Sequence, residues 1–278
     1  MAHTSFSIAS VTAEVERVAP LALAEPWDSV GLQIGDRDAA VDGILLAVDA
    51  TMDVVAQAVQ GGHQLLLAHH PLLFSPLTSI LSGDPIADVA SELIRRDVAF
   101  YAAHTNLDVA SPLGTAVALA EALGLAETTS LRCGCAGAAG ADGEPTGAGR
   151  LADLPEATTA QALSQSVARR LAVPNVRLYG DPAAQITRVA MIPGSGGDGL
   201  AEAAAAGAGA VITGELKHHE LLEARHRGLV VILAGHLHSE RPVLGVLQRH
   251  LQARLPGLRV EVAREDWPQT TIWDERQA

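Results

Sequence analysis

Ile44-Leu45-Leu46-Ala47-Val48 falls on Val189-Ala190-Met191-Ile192-Pro193 when the chain is advanced by 145 positions, and the same offset carries Leu65-Leu66-Leu67 onto Ala210-Val211-Ile212. With an offset of 132, Val98-Ala99-Phe100-Tyr101-Ala102-Ala103-His104 falls on Val230-Val231-Ile232-Leu233-Ala234-Gly235-His236, and Asp108 on Glu240. The chain is therefore read as an internal repeat. Each half ends a buried strand with a histidine and, four residues later, a carboxylate, and the first half adds His69-His70 at the end of another strand.

Working outward, short apolar runs near 44–48, 65–68 and 98–102 alternate with helical spacing near 52–61 and 85–96, which is the punctuation of an α/β protein. Runs such as Leu65-Leu66-Leu67-Ala68 are apolar at every position, as expected for strands covered on both faces by helices. Ile8, Val11, Val15 and Val18 predict an opening amphipathic helix that ends near Pro20, and Trp27 to Gly35 reads as a loop entering a short strand. Pro112 is expected to start a helix ending at Gly124. In the second half, helices are expected near 158–171 and from Pro242 to Leu255, with strands near 176–179, 188–192, 210–213, 229–234 and 258–263. The segment 127–149, rich in Gly and Ala, is read as a linker between a first half, 1–126, and a second half, 150–278.

Composition narrows the setting. The 278 residues are 48% hydrophobic but only 3% aromatic, so the core is built from small aliphatic side chains and no base-stacking platform is visible. A net charge of −13 without a basic run argues against nucleic acid as a partner. No apolar stretch reaches the roughly 18–20 residues of a membrane span, and the start of the chain has no basic segment before an apolar one, so a cytoplasmic location is expected. Cys133 and Cys135 are read as loop thiols, too few for a four-thiolate zinc site.

Ligands of open α/β sheets gather at the carboxyl ends of strands, where His69, His70, His104 and His236 stand. Neutral imidazole is a common transition-metal ligand, and carboxylates add bridging oxygen. His69, His70, Asp108, His236 and Glu240 exceed what one catalytic tetrahedral ion needs, so the count points to two divalent ions about 3.5–4 Å apart. The native metal is left open among zinc, iron, manganese, nickel and cobalt. His104 is either a further ligand or a residue that orients a carboxylate or water from behind; His238 either faces away or shuttles protons. His104, His219 and Glu215 are candidates for handling protons. Lys217 either meets a phosphate or merely begins a surface helix. The turn Pro193 to Gly199, with Gly194 and Gly196, is either an anion cradle or a plain tight turn; it lacks the Lys-Ser/Thr ending of a P-loop.

Trp27-Asp28-Ser29-Val30-Gly31-Leu32-Gln33, Ala68-His69-His70-Pro71-Leu72, His104-Thr105-Asn106-Leu107-Asp108, Thr213-Gly214-Glu215-Leu216-Lys217-His218-His219 and Gly235-His236-Leu237-His238-Ser239-Glu240 together resemble the GTP cyclohydrolase 1 type 2 homologues, the Nif-three-like family. The motifs occur in family order from about residue 8 to 268; Ser29 and Glu215 stand where many members have asparagine and aspartate. The resemblance implies two pseudo-symmetric α/β halves with mixed sheets flanked by helices and a dimetal site between them. It assigns the ligands to His69, His70, Asp108, His236 and Glu240, and it implies a toroidal homohexamer whose pockets face an internal cavity. Longer members insert a domain where this chain has only the short linker. The family name implies opening of the GTP imidazole ring by metal-activated water. The resulting expectation is a metal-dependent hydrolase of a nucleotide or related small molecule, the alternative being a non-catalytic metal-binding ring serving storage, delivery or adaptor roles.

Overall fold

The computed structural model describes residues 6–125, 127–131 and 147–265. Cys133, Cys135 and most of the expected linker lie outside them. The first half runs β1 (Phe6–Ser7), α1 (Ile8–Val18), β2 (Gly31–Ile34), β3 (Ala40–Val41), β4 (Gly43–Ala47), α2 (Met52–Gln60), β5 (Leu65–Ala68), α3 (Pro85–Arg95), β6 (Ala99–Ala102), α4 (Thr105–Asp108) and α5 (Thr115–Ala122). The second runs β7 (Thr129–Leu131), β8 (Gly149–Thr159), α6 (Ala160–Arg170), β9 (Arg177–Tyr179), β10 (Gln185–Ser195), α7 (Leu200–Ala205), β11 (Ala210–Glu215), α8 (His218–His226), β12 (Val230–Leu233), α9 (His236–Glu240), α10 (Pro242–Arg254) and β13 (Arg259–Val262).

Two mixed sheets carry the repeat. One has strand order β13-β4-β5-β6-β2, the other β7-β8-β10-β11-β12-β9, and β1 and β3 form a small separate ladder. In each sheet three consecutive parallel strands end in an antiparallel edge strand, β2 on β6 and β9 on β12. Every residue of β4, β5, β6 and β12 is buried, as continuous apolar runs require when helices cover both faces.

The register refines the repeat. Leu65 pairs with Ala99, and Ala210 with Val230, so β6 and β12 are related by 131 positions rather than 132. The match of His104 with His236 therefore needs one extra residue after β12. His104 occupies the N-cap of α4, the place Gly235 takes before α9, while His236 is the first residue inside α9. A single-residue step redirects a side chain, and the two histidines point into the same region from different backbone positions.

The helix expected from Pro112 begins at Thr115 instead, because Gly114 is still extended as its N-cap and the Thr115 hydroxyl donates to Asp108 at 2.6 Å. The long β8, the short β7 and the β1–β3 ladder have no clear signal in the sequence. α5 packs in the second core with Ala152, Val189 and Ile212, whereas α10 packs in the first with Ile44, Leu65 and Val260. β13, late in the chain, adds to the first sheet alongside β4. The halves thus exchange elements across the division placed at 127–149. Among the described residues no helix is long and apolar enough to cross a membrane.

Candidate metal centre

The carboxyl ends of β4, β5 and β6 meet those of β10, β11 and β12, and four imidazoles gather where they meet. His69 and His70 continue directly from β5, with their amides donating to Ala47 and Val48 carbonyls at 3.0 and 2.9 Å. Ring centroids lie 5.1 Å apart for His69 and His70, 5.3 Å for His69 and His104, and 5.2 Å for His70 and His236.

In each ring Nδ1 has an acceptor. His69 Nδ1 lies 2.8 Å from the Ala103 carbonyl and His70 Nδ1 2.8 Å from Asp49 Oδ1. His104 Nδ1 lies 2.9 Å from Asp28 Oδ1 and His236 Nδ1 3.2 Å from Glu215 Oε1. A hydrogen on Nδ1 leaves the Nε2 lone pair for a cation, the arrangement that outer partners impose on metal-binding histidines. Ring nitrogens of His69, His70 and His104 fall within 4.8 Å of one another, as do ligand atoms of His70, His236 and Glu240.

Glu240 joins these groups. Its carboxylate is buried and lies 3.1 Å from His236 Nε2, 3.2 Å from His70 Nε2 and 3.7 Å from His69 Nε2. Asp108 Oδ1 approaches His69 Nε2 at 3.5 Å. Despite these neighbours, His69 Nε2 and Glu240 Oε2 are buried without a hydrogen bond of acceptable geometry. A buried polar atom without a partner is costly, and two of them aimed into one cluster of nitrogen and oxygen donors fit a cation-binding site. The donor set suits divalent transition metals.

Two glycines make room for this. By the offset of 145, Gly194 and Gly214 stand where the first half has Asp49 and His69. A Cβ on Gly194 would lie 2.2 Å from Glu240 Oε1, and one on Gly214 would lie 2.8 Å from the His236 Cα. The repeat is broken so that side chains from only one half fill the centre at these levels. The Gly194 amide is bonded to Ser239 Oγ at 2.9 Å, so it is not available to a phosphate. At Gly196 a Cβ would meet Thr213 Oγ1 at 2.5 Å, which gives that glycine a packing reason. Lys217 and His219 are exposed, and neither lines the cavity at the cluster; the Lys217 ammonium lies 3.9 Å from Glu220. Glu215 is brought to the cluster through His236. His238 lines a separate cavity of about 770 Å³ together with Arg241, away from the clustered rings.

Asp49 and Asp28 are site residues that sequence reasoning misses. Asp49 comes after β4 as His70 comes after β5, a neighbouring strand-end acid that the parallel register sets beside the ring. Asp28 is visible inside a motif but without an evident partner; its other oxygen accepts from the Thr105 amide and hydroxyl at 3.0 and 2.5 Å. Burial raises the Asp28 pKa, but His104 and Thr105 outweigh it and hold the group below the usual carboxylate range.

Burial opposes charge on His70, yet the Asp49 hydrogen bond and the adjacent Glu240 carboxylate lift its pKa to about 10. The Glu240 hydrogen bond, working against burial, lifts His236 to about 9. Burial raises Glu240, but His69, His236 and His70 outweigh it and push it well below the carboxylate range. With no cation bound, the two raised histidines contribute stability that is complete below about pH 6.5 and lost as pH rises through their folded values. Glu240 contributes stability present above about pH 4.3 and lost as pH falls through its depressed value. Chelator-treated protein is therefore expected to show its highest thermal midpoint between about pH 4.5 and 6.5. His70→Gln should flatten the alkaline limb; an identical limb in both proteins would contradict this charge assignment.

Residues 6–268 match the Duf34/NIF3 (NGG1p interacting factor 3) family. A Clostridium acetobutylicum protein called GTP cyclohydrolase 1 type 2 homolog is 32% identical over 241 residues, covering 87% of this chain and 88% of its own. A Streptomyces coelicolor protein of the same name is 35% identical, covering 84% and 82%. Among solved structures, a Bacillus cereus protein related to NIF3 superposes with a TM-score of 0.88 at 24% identity, covering 97% of this chain and 99% of that one. A Staphylococcus aureus hypothetical protein superposes with a TM-score of 0.86 at 27% identity, covering 95% and 99%.

Proposed function

This chain belongs to the Duf34/NIF3 family, and from that premise and the site geometry we propose that it is a dinuclear-metal-dependent hydrolase of a nucleotide or related small molecule. The observation that carries the reading is the unpartnered Nε2 of His69, buried between Asp108 and Glu240 among rings whose Nδ1 atoms are already held. His69, His70, Asp108, His236 and Glu240 would hold two divalent ions; the Glu240 carboxylate lies within 3.7 Å of the Nε2 atoms of His69, His70 and His236. Two such ions would supply, when bound, a water-derived nucleophile at neutral pH and polarisation of the group it attacks.

The chain's own residues do the rest. Asp28 fixes the His104 ring so that Nε2 is the atom left to take or give a proton. Glu215 and Asp49 hold the His236 and His70 rings in the same way through Nδ1, which would leave their Nε2 atoms for the ions. The cavity at the cluster, about 280 Å³, is lined by Trp27, His104, Asp108, Ser195, His236 and Glu240 among others. GTP is the first substrate to try, since relatives are called GTP cyclohydrolase 1 type 2 homologs. We also place the chain in a homohexamer; exposed Leu77, Ile80, Leu81, Ile86 and Ile94 offer apolar surface for contacts between copies.

A second reading, a metal-binding ring for storage, delivery or partner docking, is favoured by the cavity volume, which falls just below the roughly 300–1,000 Å³ typical of small-molecule pockets. Turnover separates the two. Metal-reconstituted protein assayed against GTP and a panel of phosphoesters is expected to turn over at least one, and Asp108→Ala to lose at least about 100-fold in rate. Activity equal in both proteins would belong to a contaminant, and no turnover of any compound by fully loaded protein would favour the second reading.

A further inference from the structure

Trp27 and Phe74 are 58% and 51% exposed, in a chain with only three tryptophans and three phenylalanines. They are not scattered. Their ring centroids lie 5.8 Å apart with planes tilted by 51°, and Trp27 also meets His104 edge-on at 6.2 Å. Trp27 lines the cavity that contains His104, Asp108, His236 and Glu240. Two large apolar rings left in water beside a reactive centre lose the stabilisation that burial would bring, so their position calls for a partner.

The backbone under both rings is fixed. The Glu25 amide donates to Thr105 Oγ1 at 2.9 Å, and Asp28 accepts from Thr105 and His104, so Trp27 is tied to α4 on either side. Phe74 comes directly after Leu73, whose amide donates to Gln33 Oε1 at 2.9 Å and whose carbonyl accepts from Gln33 Nε2 at 3.3 Å. The same Gln33 amide donates to the Ser29 carbonyl and hydroxyl at 2.9 and 3.0 Å. One side chain thus clamps the Trp27 loop to the Phe74 loop. An exposed aromatic pair on a hydrogen-bonded frame is pre-organised for a ligand, because little ordering entropy remains to be lost on binding.

We propose that Trp27, braced by Phe74, forms the receptor for a planar heteroaromatic ring at the mouth of the metal centre, the place where the base of the proposed nucleotide substrate stacks. This rests on reading the histidine and carboxylate cluster as the reactive centre. A cavity of about 280 Å³, just under the roughly 300–1,000 Å³ of a pocket for a whole small molecule, leaves space for part of one only, so the ring would enter and the polar remainder stay outside. Stacking accepts any base with a π-face, so the pair selects flatness and aromaticity, while discrimination among rings falls to groups deeper in the cavity. The low aromatic content argues against such a platform; it exists because two of the few aromatic residues are brought together from separate loops.

The test is calorimetric titration of full-length, metal-reconstituted protein with guanosine, adenosine and uridine, and with ribose 5-phosphate as a probe without an aromatic ring. Trp27→Leu keeps an apolar side chain but removes the aromatic face, and is expected to weaken nucleoside binding by about tenfold or more. Trp27→Tyr should keep it within a few-fold, and ribose 5-phosphate should not distinguish the three proteins. Metal content, measured on the same samples, should be unchanged. The proposal is overturned if Trp27→Leu binds nucleosides like wild type, if no nucleoside binds wild type, or if the substitution alters only the number of copies in the assembly. A wild-type protein that refuses metal yet binds nucleosides through Trp27 would sink the hydrolase reading and leave the receptor standing. Full metal loading and turnover with indifferent Trp27→Leu binding would do the reverse.

Discussion

Glu240→Ala protein, reconstituted with zinc or manganese and freed of excess ion, is expected to retain less than one ion per chain where wild type retains about two. The reason is how much of the centre meets at one carboxylate. Glu240 lies 3.1, 3.2 and 3.7 Å from the Nε2 atoms of His236, His70 and His69. Without it, among the described residues Asp108 is the carboxylate left facing these Nε2 atoms, 3.5 Å from that of His69, since Asp49 and Glu215 hold Nδ1 atoms. Loss of a mere outer partner costs about 10–100-fold in metal affinity, so loss of a carboxylate that faces three ring nitrogens should cost more and be evident after desalting. The fold should persist, because the space vacated is polar and open to water at the adjoining cavity. His70→Ala should behave similarly, whereas Lys217→Ala, whose side chain is exposed and outside the cavity, should keep full occupancy. Elemental mass spectrometry on untagged protein makes the comparison. Two ions per chain in Glu240→Ala would remove the proposed centre.

Much of this centre can be read from residue types and offsets, and the part that cannot has identifiable causes. His69, His70, His236, Asp108 and Glu240 are visible because buried strands are continuous apolar runs, and the residues just past such a run are displayed at a sheet end. The partner of each ring is not visible. Asp49 and Asp28 approach His70 and His104 through strand register and loop packing, which carry no local period. The equivalence of His104 and His236 fails by one residue for a related reason: an alignment of apolar strands tolerates a slip, while hydrogen-bond register does not. β8 hides behind the features of a linker and a helix start because Gly149 to Thr159 mixes Asp, Pro and Glu with its apolar residues, and most of it is not buried. The exchange of α5, α10 and β13 between the cores is settled by pairings between distant segments, and the amphipathic pattern of each helix is the same whichever sheet it covers. Gly194 is the subtlest case: the glycine-rich run reads as a turn after a strand and suits both an anion cradle and a close approach of side chains, whereas β10 continues through Ser195 and holds Gly194 inside the strand.

Gly194→Ala separates those two accounts. An added methyl at Gly194 would lie 2.2 Å from Glu240 Oε1 and 3.4 Å from His236 Nε2, so one of these side chains must move. The backbone there is left-handed, with φ of 65°, which costs a residue bearing Cβ roughly 1 kcal/mol or more. Overpacking against the buried carboxylate adds about 1–3 kcal/mol. The variant is expected to lose several degrees in thermal midpoint and, if soluble, to resemble Glu240→Ala in its metal content. A phosphate cradle predicts something different: intact metal and weakened binding of phosphate-bearing ligands alone. That outcome is disfavoured by the Gly194 amide, which is already bonded to Ser239 Oγ, itself a donor to the His236 carbonyl at 2.8 Å. The same contacts explain why the second half has no counterpart of Asp49. A carboxylate at position 194 would occupy the space that Glu240 fills, so at this level the first half supplies an acid and the second a glycine, and the second half's acid behind a ring, Glu215, comes from the end of β11. Wild-type metal content and stability in Gly194→Ala would show that the two strand ends stand farther apart than this packing requires.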